Sequence, residues 1–183
     1  MKNTYPPTLK SYSLDSALGT MLAVADEKAL YLLEFSDKDG LEDQIRTLST
    51  KTKSSILPGI TDPIISIKRE LELYFAGHLK EFKTAVHLIG SSFQKISWGM
   101  LMNIPYGQVR SYSYQAIAIG RPSAHRAVGN ANSTNQIAIV VPCHRIINHN
   151  GKIGGYAGGI ERKKWLLNHE KTIMNEHAVN NFL

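Results

Sequence analysis

One cysteine in 183 residues leaves no partner for a disulfide within the chain, which excludes a small disulfide-stapled scaffold. Long apolar runs are missing too. None approaches the about 18 residues that a bilayer span needs, and the opening Met1-Lys2-Asn3-Thr4-Tyr5-Pro6-Pro7 has no apolar stretch of signal-peptide length. The chain is therefore expected to be cytoplasmic and soluble; it is also expected to act as a monomer. Acids are scarce in one half only. Residues 1–90 carry eleven Lys/Arg and twelve Asp/Glu, whereas residues 91–170 carry nine Lys/Arg against Glu161 and Glu170 alone. The net charge of +6 thus belongs to the second half, where nothing interleaved cancels the field, and that half is expected to face a polyanion.

What is present suggests two parts. The runs Gly19 to Val24 and Leu30 to Phe35, separated by Ala25-Asp26-Glu27-Lys28-Ala29, read as an antiparallel hairpin. Leu41, Ile45 and Leu48 suggest a short helix. A firmer one runs from Pro63 to Ala76, with Asp62 as cap, Gly77 as stop, and Ile64, Ile67, Leu71, Tyr74 and Phe75 on one face. The polar segment Gly77 to Glu81 is a connector, and the domain boundary falls between it and Ser91-Ser92. Ser92 then caps a helix with a stripe of Phe93, Ile96, Met100 and Leu101. Ser111 opens another through Ile119, and Pro122 opens a third through Ala131. Two short helices joined by a Gly-containing turn in a basic segment resemble a helix-turn-helix, although any αα-hairpin shares that outline. Residues 129–135 read as a polar turn, Asn148-His149-Asn150-Gly151 as a tight hairpin turn, and Gly159 to His169 as the last helix; residues 171–183 read as a frayed tail.

The chemistry gathers at Pro142-Cys143-His144-Arg145. A lone cysteine is often a small buried hydrophobe. Here, however, the apolar run Ile137 to Val141, which reads as a buried strand, passes through Cys143 straight into His144 and Arg145, which are costly to bury unpaired. A nucleophilic thiol needs a base or a positive field nearby, and these neighbours offer both. Adjacent side chains in extended chain point opposite ways, so His144 would need a bent backbone or a bridging water to reach Cys143. A third group must orient the imidazole, and Glu170, one of two acids in the basic half, gives a Cys-His-Glu hypothesis. Zinc is a poor fit, because Cys143, His144 and His149 fall short of four good ligands, and no cofactor motif is present: the glycine run lacks the Gly-Lys-Ser/Thr ending of a phosphate loop.

Six ordered blocks carry a resemblance: Ile104-Pro105-Tyr106-Gly107, Arg126-Ala127-Val128-Gly129, Asn135, Pro142-Cys143-His144-Arg145, Gly155-Tyr156-Ala157-Gly158-Gly159, and Trp165-Leu166-Leu167-Asn168-His169-Glu170. Over residues 91–170 they resemble the O6-alkylguanine-DNA alkyltransferases, and the Leu18-Gly19-Thr20 hairpin is similar to that family's N-terminal domain. The resemblance implies an α+β protein with a ribonuclease H-like N-terminal domain over residues 1–90 and a helical C-terminal domain, with a winged helix-turn-helix, over residues 91–170. It implies single-turnover repair of double-stranded DNA, moving an alkyl group from O6 of guanine, or less efficiently O4 of thymine, to Cys143. By position, His144 matches the base that works through water and Glu170 the carboxylate that orients it. Asn135 matches the hinge asparagine, and Tyr112 the DNA-binding tyrosine that lies near the target nucleotide's 3′ phosphate and assists base rotation and protonation. Arg126 matches the arginine that enters the duplex; Ser123, Ala127 and Gly129 fall with it on the DNA side, Ala124 and Ala131 supply further small residues on the same helix, and Ile146, Tyr156, Ala157 and Gly158 match the substrate pocket.

Ala157 departs from the pattern, standing where several relatives carry a serine that hydrogen-bonds guanine. Cys143 separates the chain from the non-catalytic alkyltransferase-like proteins, which carry tryptophan there. The residues by themselves leave two rivals: a thiol hydrolase using Cys143, His144 and Glu170, and a helix-turn-helix DNA-binding protein that never uses its thiol.

Overall fold

The computed structural model describes residues 8–180, so the opening Met1 to Pro7 and the last three tail residues lie outside the described residues. Two compact units divide at Ile89/Gly90. The first contains a four-stranded mixed sheet in the order β3-β2-β1-β4, from β1 (Thr8–Leu14), β2 (Met21–Ala25), β3 (Leu30–Phe35) and β4 (Ser55–Pro58). The expected hairpin is β2 and β3, antiparallel with a register shift at Val24/Ala25, while β1 pairs antiparallel with β2 and parallel with β4. Ala23, Val24 and Ala25 are all fully buried, which explains why β2 reads as a continuous apolar run. On one face Leu9, Val24 and Leu32 meet Leu48 of α1 (Leu41–Thr52); α2 (Asp62–Phe75) packs against β2 and buries Ile64, Ile67, Leu71 and Tyr74.

The α2 cap is Thr61 rather than Asp62, which stands inside the first turn, where the helix dipole favours a carboxylate. The stretch just past the connector is tightly held. Buried Glu70 accepts the backbone N–H groups of Lys83 (2.7 Å) and Thr84 (3.1 Å) and the Thr84 hydroxyl (2.8 Å).

The second unit holds α3 (Ser92–Leu101), β5 (Arg110–Ser111), α4 (Tyr112–Ala118), α5 (His125–Ser133), β6 (Ile146–Ile147) and α6 (Ile160–Asn180). Helices α3, α4 and α5 pack on one another, and β5 and β6 form a short parallel pair. Ser91, not Ser92, caps α3, in a reciprocal capping box with Gln94. Its buried face is Ser97, Trp98 and Leu101, leaving Ile96 57% exposed; the anchor that moved the stripe is the Trp98 indole, which donates to the Ala131 carbonyl at 2.8 Å. Helix α4 follows the reading closely, with the Ser111 hydroxyl accepting from the Tyr114 N–H.

Three local expectations fail for identifiable reasons. Helix α5 begins at His125, because Pro122 and Ser123 complete the turn after α4, and it continues through residues 129–133, which read as a polar turn, with the Asn132 amide used inside the unit. Residues 137–141 form no strand: they turn sharply, with Ile139 in the left-handed region at φ 69°. The frayed tail is a correction as well, since α6 continues unbroken to Asn180.

Candidate active site

The sharp turn after α5 is organised by one buried side chain. Asn135 donates through Nδ2 to the Val141 carbonyl (2.8 Å) and to Cys143 Sγ (3.2 Å), while its Oδ1 accepts the Ile137 N–H (3.1 Å). Both arms of the turn are thereby tied to the thiol. A β-branched residue at positive φ is costly, on the order of 1–3 kcal/mol, and the buried, doubly fastened turn holds Ile139 there. Residues 143–145 then coil into a single 3-10 turn. With three residues per turn, neighbouring side chains no longer oppose one another, so the bent backbone required for His144 is present.

His144 is fully buried. Its Nε2 lies 3.0 Å from Glu170 Oε1, so the carboxylate fixes the proton on Nε2 and leaves the buried Nδ1 as a lone-pair acceptor, without a hydrogen-bond partner among the described residues. Glu170 also accepts from Arg145 Nε (3.0 Å), Arg145 Nη2 (2.9 Å) and the Gly107 N–H (2.9 Å). Gly107 adopts φ 74° and any Cβ there would strike Met174 Cγ at 2.6 Å, so only glycine delivers that N–H. Arg145 completes the cluster, giving Nη1 to the Ile104 carbonyl at 2.6 Å with its guanidinium over the Tyr106 ring.

Burial opposes ionisation of Glu170, yet the hydrogen bonds and charges of His144 and Arg145 outweigh it and hold the carboxyl well below the usual carboxylate range. Burial lowers His144 despite Glu170, so the imidazole is held neutral. A second buried cation, Lys163, bonds the carbonyls of Ile146 and Gly155 and is pushed down to about 8 by burial, with the Cys143 charge acting the other way. The sequence does not mark Lys163 as part of the site, and it marks Arg145 only as a positive neighbour. The signal lay in α6: Lys163, Leu166 and Glu170, at helical spacing, are its buried stripe, whereas Ile160 and Trp165 are substantially exposed.

Cys143 opens onto a cavity of about 270 Å³ walled by Tyr112, Gly129, Asn132, Ser133, Gly155, Tyr156 and Ala157. Tyr112 and Gly129 meet closely across it: a Cβ on Gly129 would stand 3.7 Å from the tyrosine ring. Burial, reinforced by Cys143, pushes the Tyr112 phenol up, so it stays protonated at neutral pH. Asn132 is anchored by exchanging amide bonds with Gln115, and Gln115 also reaches the Ser97 carbonyl, which locks α3, α4 and α5 around the cavity. Two expected pocket residues are not in its lining. Ile146 is fully buried in β6 and contributes only its carbonyl to Lys163, and Gly158 is buried with its carbonyl on Arg162. Arg126 and Ala127 are exposed on α5 and Ser123 in the turn before it, but Ala131 faces inward, against expectation. Among the described residues no group of three or more His, Cys, Asp or Glu is placed to hold a metal ion, and no helix is long and apolar enough to cross a membrane.

A thiol held by an amide donor, next to an imidazole whose far nitrogen is claimed by a carboxylate, defines a protein that does its chemistry through cysteine. Comparison with known proteins narrows the class. The family model described as 6-O-methylguanine DNA methyltransferase, DNA binding domain, matches residues 92–172. A methylated-DNA–protein-cysteine methyltransferase of Methanosarcina barkeri is 38% identical over 159 residues, covering 86% of this chain and 94% of that protein; one of Salmonella typhimurium is 41% identical over 155 residues, covering 84% and 90%. The crystal structure of Mycobacterium tuberculosis OGT in complex with DNA superposes with a TM-score of 0.76 at 38% identity, covering 91% of this chain and 94% of that one. The chain belongs to the methylated-DNA–protein-cysteine methyltransferase family, and its α+β architecture of a small mixed sheet with helices is shared with those structures.

Proposed function

We propose that this protein repairs alkylated double-stranded DNA by moving a methyl or larger alkyl group from O6 of guanine, and less efficiently from O4 of thymine, irreversibly onto Cys143. The observation that carries the reading is the continuous chain from Asn135 through Cys143 Sγ to the walled cavity, with the His144–Glu170 pair beside it. The atoms balance simply. Cys143 gives up its proton toward Nδ1 of His144, and Sγ attacks the alkyl carbon. The bond from that carbon to O6 breaks, its electron pair returns to guanine, and the base takes a proton from Tyr112, which solvent reprotonates as the His144 imidazolium gives up the proton it took from the thiol. Guanine and a thioether are the products. Asn135 positions the thiol, Glu170 sets the imidazole tautomer, and Arg145 and Lys163 supply positive charge to a site that must carry a thiolate.

The same reading divides the labour. The first unit, residues 1–90, is a ribonuclease H-like structural domain, and residues 91–170 are the DNA-binding and transfer domain, with α4 and α5 as the helix-turn-helix of a winged variant and β5 and β6 beside it. Arg126, on the exposed face of α5 with Ala127, fills the gap left by the extruded nucleotide, offsetting part of the few kcal/mol that extrusion costs. Such a protein acts in the cytoplasm as a monomer on DNA. Exposure to a duplex containing O6-methylguanine should add one methyl to the peptide containing Cys143; an unmodified Cys143 peptide overturns the reading.

Arg126→Ala separates extrusion from chemistry. Repair of the duplex should slow by tenfold or more while transfer from free O6-benzylguanine base is far less affected, because a free base needs no replacement in the stack. Equal slowing of both substrates would remove Arg126 from this role.

A further inference from the structure

Asn132, in the last turn of α5, both lines the thiol cavity and is tied to the thiol through the backbone: its carbonyl accepts the Asn135 N–H at 3.2 Å, and Asn135 in turn holds Sγ. Its side chain is oriented by what lies behind it. Gln115 Nε2 faces the Ser97 carbonyl at 3.0 Å, and a carbonyl only accepts, so the nitrogen of Gln115 must stand on that side. The other hydrogen of Nε2 goes to Asn132 Oδ1 (3.1 Å), which turns Asn132 Nδ2 onto Gln115 Oε1 (2.8 Å). Both N–H groups of Gln115 are then spent. Asn132 Nδ2 carries two and uses one, and the second has no partner among the described residues. In a closed pair of amide bonds that hydrogen points away from Gln115, and the space that Asn132 borders is the thiol cavity. Neighbouring donors are committed elsewhere: Asn135 Nδ2 serves the Val141 carbonyl and Sγ, and the Ser133 hydroxyl serves the Asn130 carbonyl at 2.8 Å. A methyl group in transit to Sγ offers the unspent N–H nothing. A longer alkyl group with an oxygen on its second carbon does.

We propose that Asn132 is a specificity-determining residue: its unspent N–H, held in place by Gln115, receives an acceptor carried on the alkyl group, so that 2-hydroxyethyl is taken from O6 of guanine in preference to propyl of the same size. The inference rests on the DNA alkyl-transfer reading. The transfer itself is unchanged, since the carbon attached to O6 moves to Sγ while the terminal hydroxyl keeps its proton and its bond to carbon. One neutral hydrogen bond, net of the water it replaces, gives a preference of about three- to tenfold.

The test is a competition. An excess of two duplexes in equal amounts, one containing O6-(2-hydroxyethyl)guanine and the other O6-propylguanine, is mixed with the full chain, and the two alkylated forms of the Cys143 peptide are separated by mass. The hydroxyethyl form should predominate by about threefold or more. In Gln115→Leu/Asn132→Leu and in Gln115→Leu/Asn132→Met both amides give way to apolar side chains of similar size, so neither is left stranded, and the preference should fall by about three- to tenfold. Methyl transfer from O6-methylguanine by the same variants shows that they are folded. A purely structural role for the amide pair would slow both duplexes alike and leave the ratio where it was. An unsubstituted chain that takes propyl as readily as hydroxyethyl, or a preference that survives in either transfer-competent double variant, overturns the proposal. The unsubstituted chain mixed with a duplex containing O6-methylguanine reports separately: no methyl on Cys143 refutes the alkyl-transfer reading, whereas methylation without the hydroxyethyl preference refutes the role of Asn132 alone.

Discussion

Mixed with an excess of duplex carrying O6-methylguanine, the protein should take up one methyl per chain and then stop. The reason is chemical. A hydrolase working through Cys143, His144 and Glu170 would pass through a thioester, which water resolves, and product would go on accumulating. A methyl thioether offers water no leaving group under mild conditions, and the buried surroundings of Sγ favour no second nucleophile. Radiolabelled methyl should therefore plateau at one equivalent, with all label on the Cys143 peptide. Cys143→Ala should transfer nothing while retaining DNA affinity. Product beyond one equivalent would revive the hydrolase; no label with intact DNA binding would leave a helix-turn-helix binder that does not use its thiol.

Glu170→Gln should be the most damaging substitution outside the thiol itself, and in two measurable ways. The carboxylate holds the His144 tautomer, so its loss removes the orientation of the base and should slow transfer by about a hundredfold or more. It is also the sole carboxylate bonded to the buried Arg145 guanidinium among the described contacts, so the neutral amide leaves that cation uncompensated, at about 3–5 kcal/mol of stability. Chemical denaturation and single-turnover kinetics should both register the change. His144→Ala provides the contrast: it should slow transfer comparably but cost less stability, because Glu170 keeps Arg145 and the Gly107 N–H. The pH profile follows the same logic. A carboxyl held below its ordinary range in the folded state contributes stability that is complete above that range and is lost as pH falls through it. Burial of neutral His144 acts in the same direction, since the unfolded chain binds the proton that the folded one refuses. Denaturation midpoints should thus decline as acid is added, and Glu170→Gln should make the decline shallower; an unchanged slope would sink this assignment.

Much of the site is legible because its chemistry sits in contiguous words. Pro142-Cys143-His144-Arg145 states the nucleophile and its neighbours, and Glu170 stands out in a segment nearly empty of acids. What sequence periodicity misread shares one physical cause, polar groups doing structural work inside the unit. Asn132 and Gln115 satisfy each other's amides, so α5 runs through residues that look like a turn. Lys163 and Glu170 lie on the buried face of α6, so an apolar template selects Ile160 and Trp165 instead. The run from Ile137 to Val141 reads as a strand because nothing local announces that Asn135, two residues earlier, folds it back on itself. Likewise Ile146, close in sequence to Cys143, is taken up by the β5–β6 pair and gives its carbonyl to Lys163 instead of lining the cavity.

Helix α6 does not end beside Glu170. Because it runs on to Asn180, its negative end lies about 15 Å further along, and the carboxylate sits among peptide units whose carbonyls are already paired. The last turns therefore act as an electrostatic spacer. A chain shortened after Lys171 would bring the unpaired carbonyls back alongside Glu170 and remove Met174 from its packing over Gly107. Such a shortened protein should unfold at a higher pH than the full chain on acid titration, even though no residue that touches the thiol has been changed.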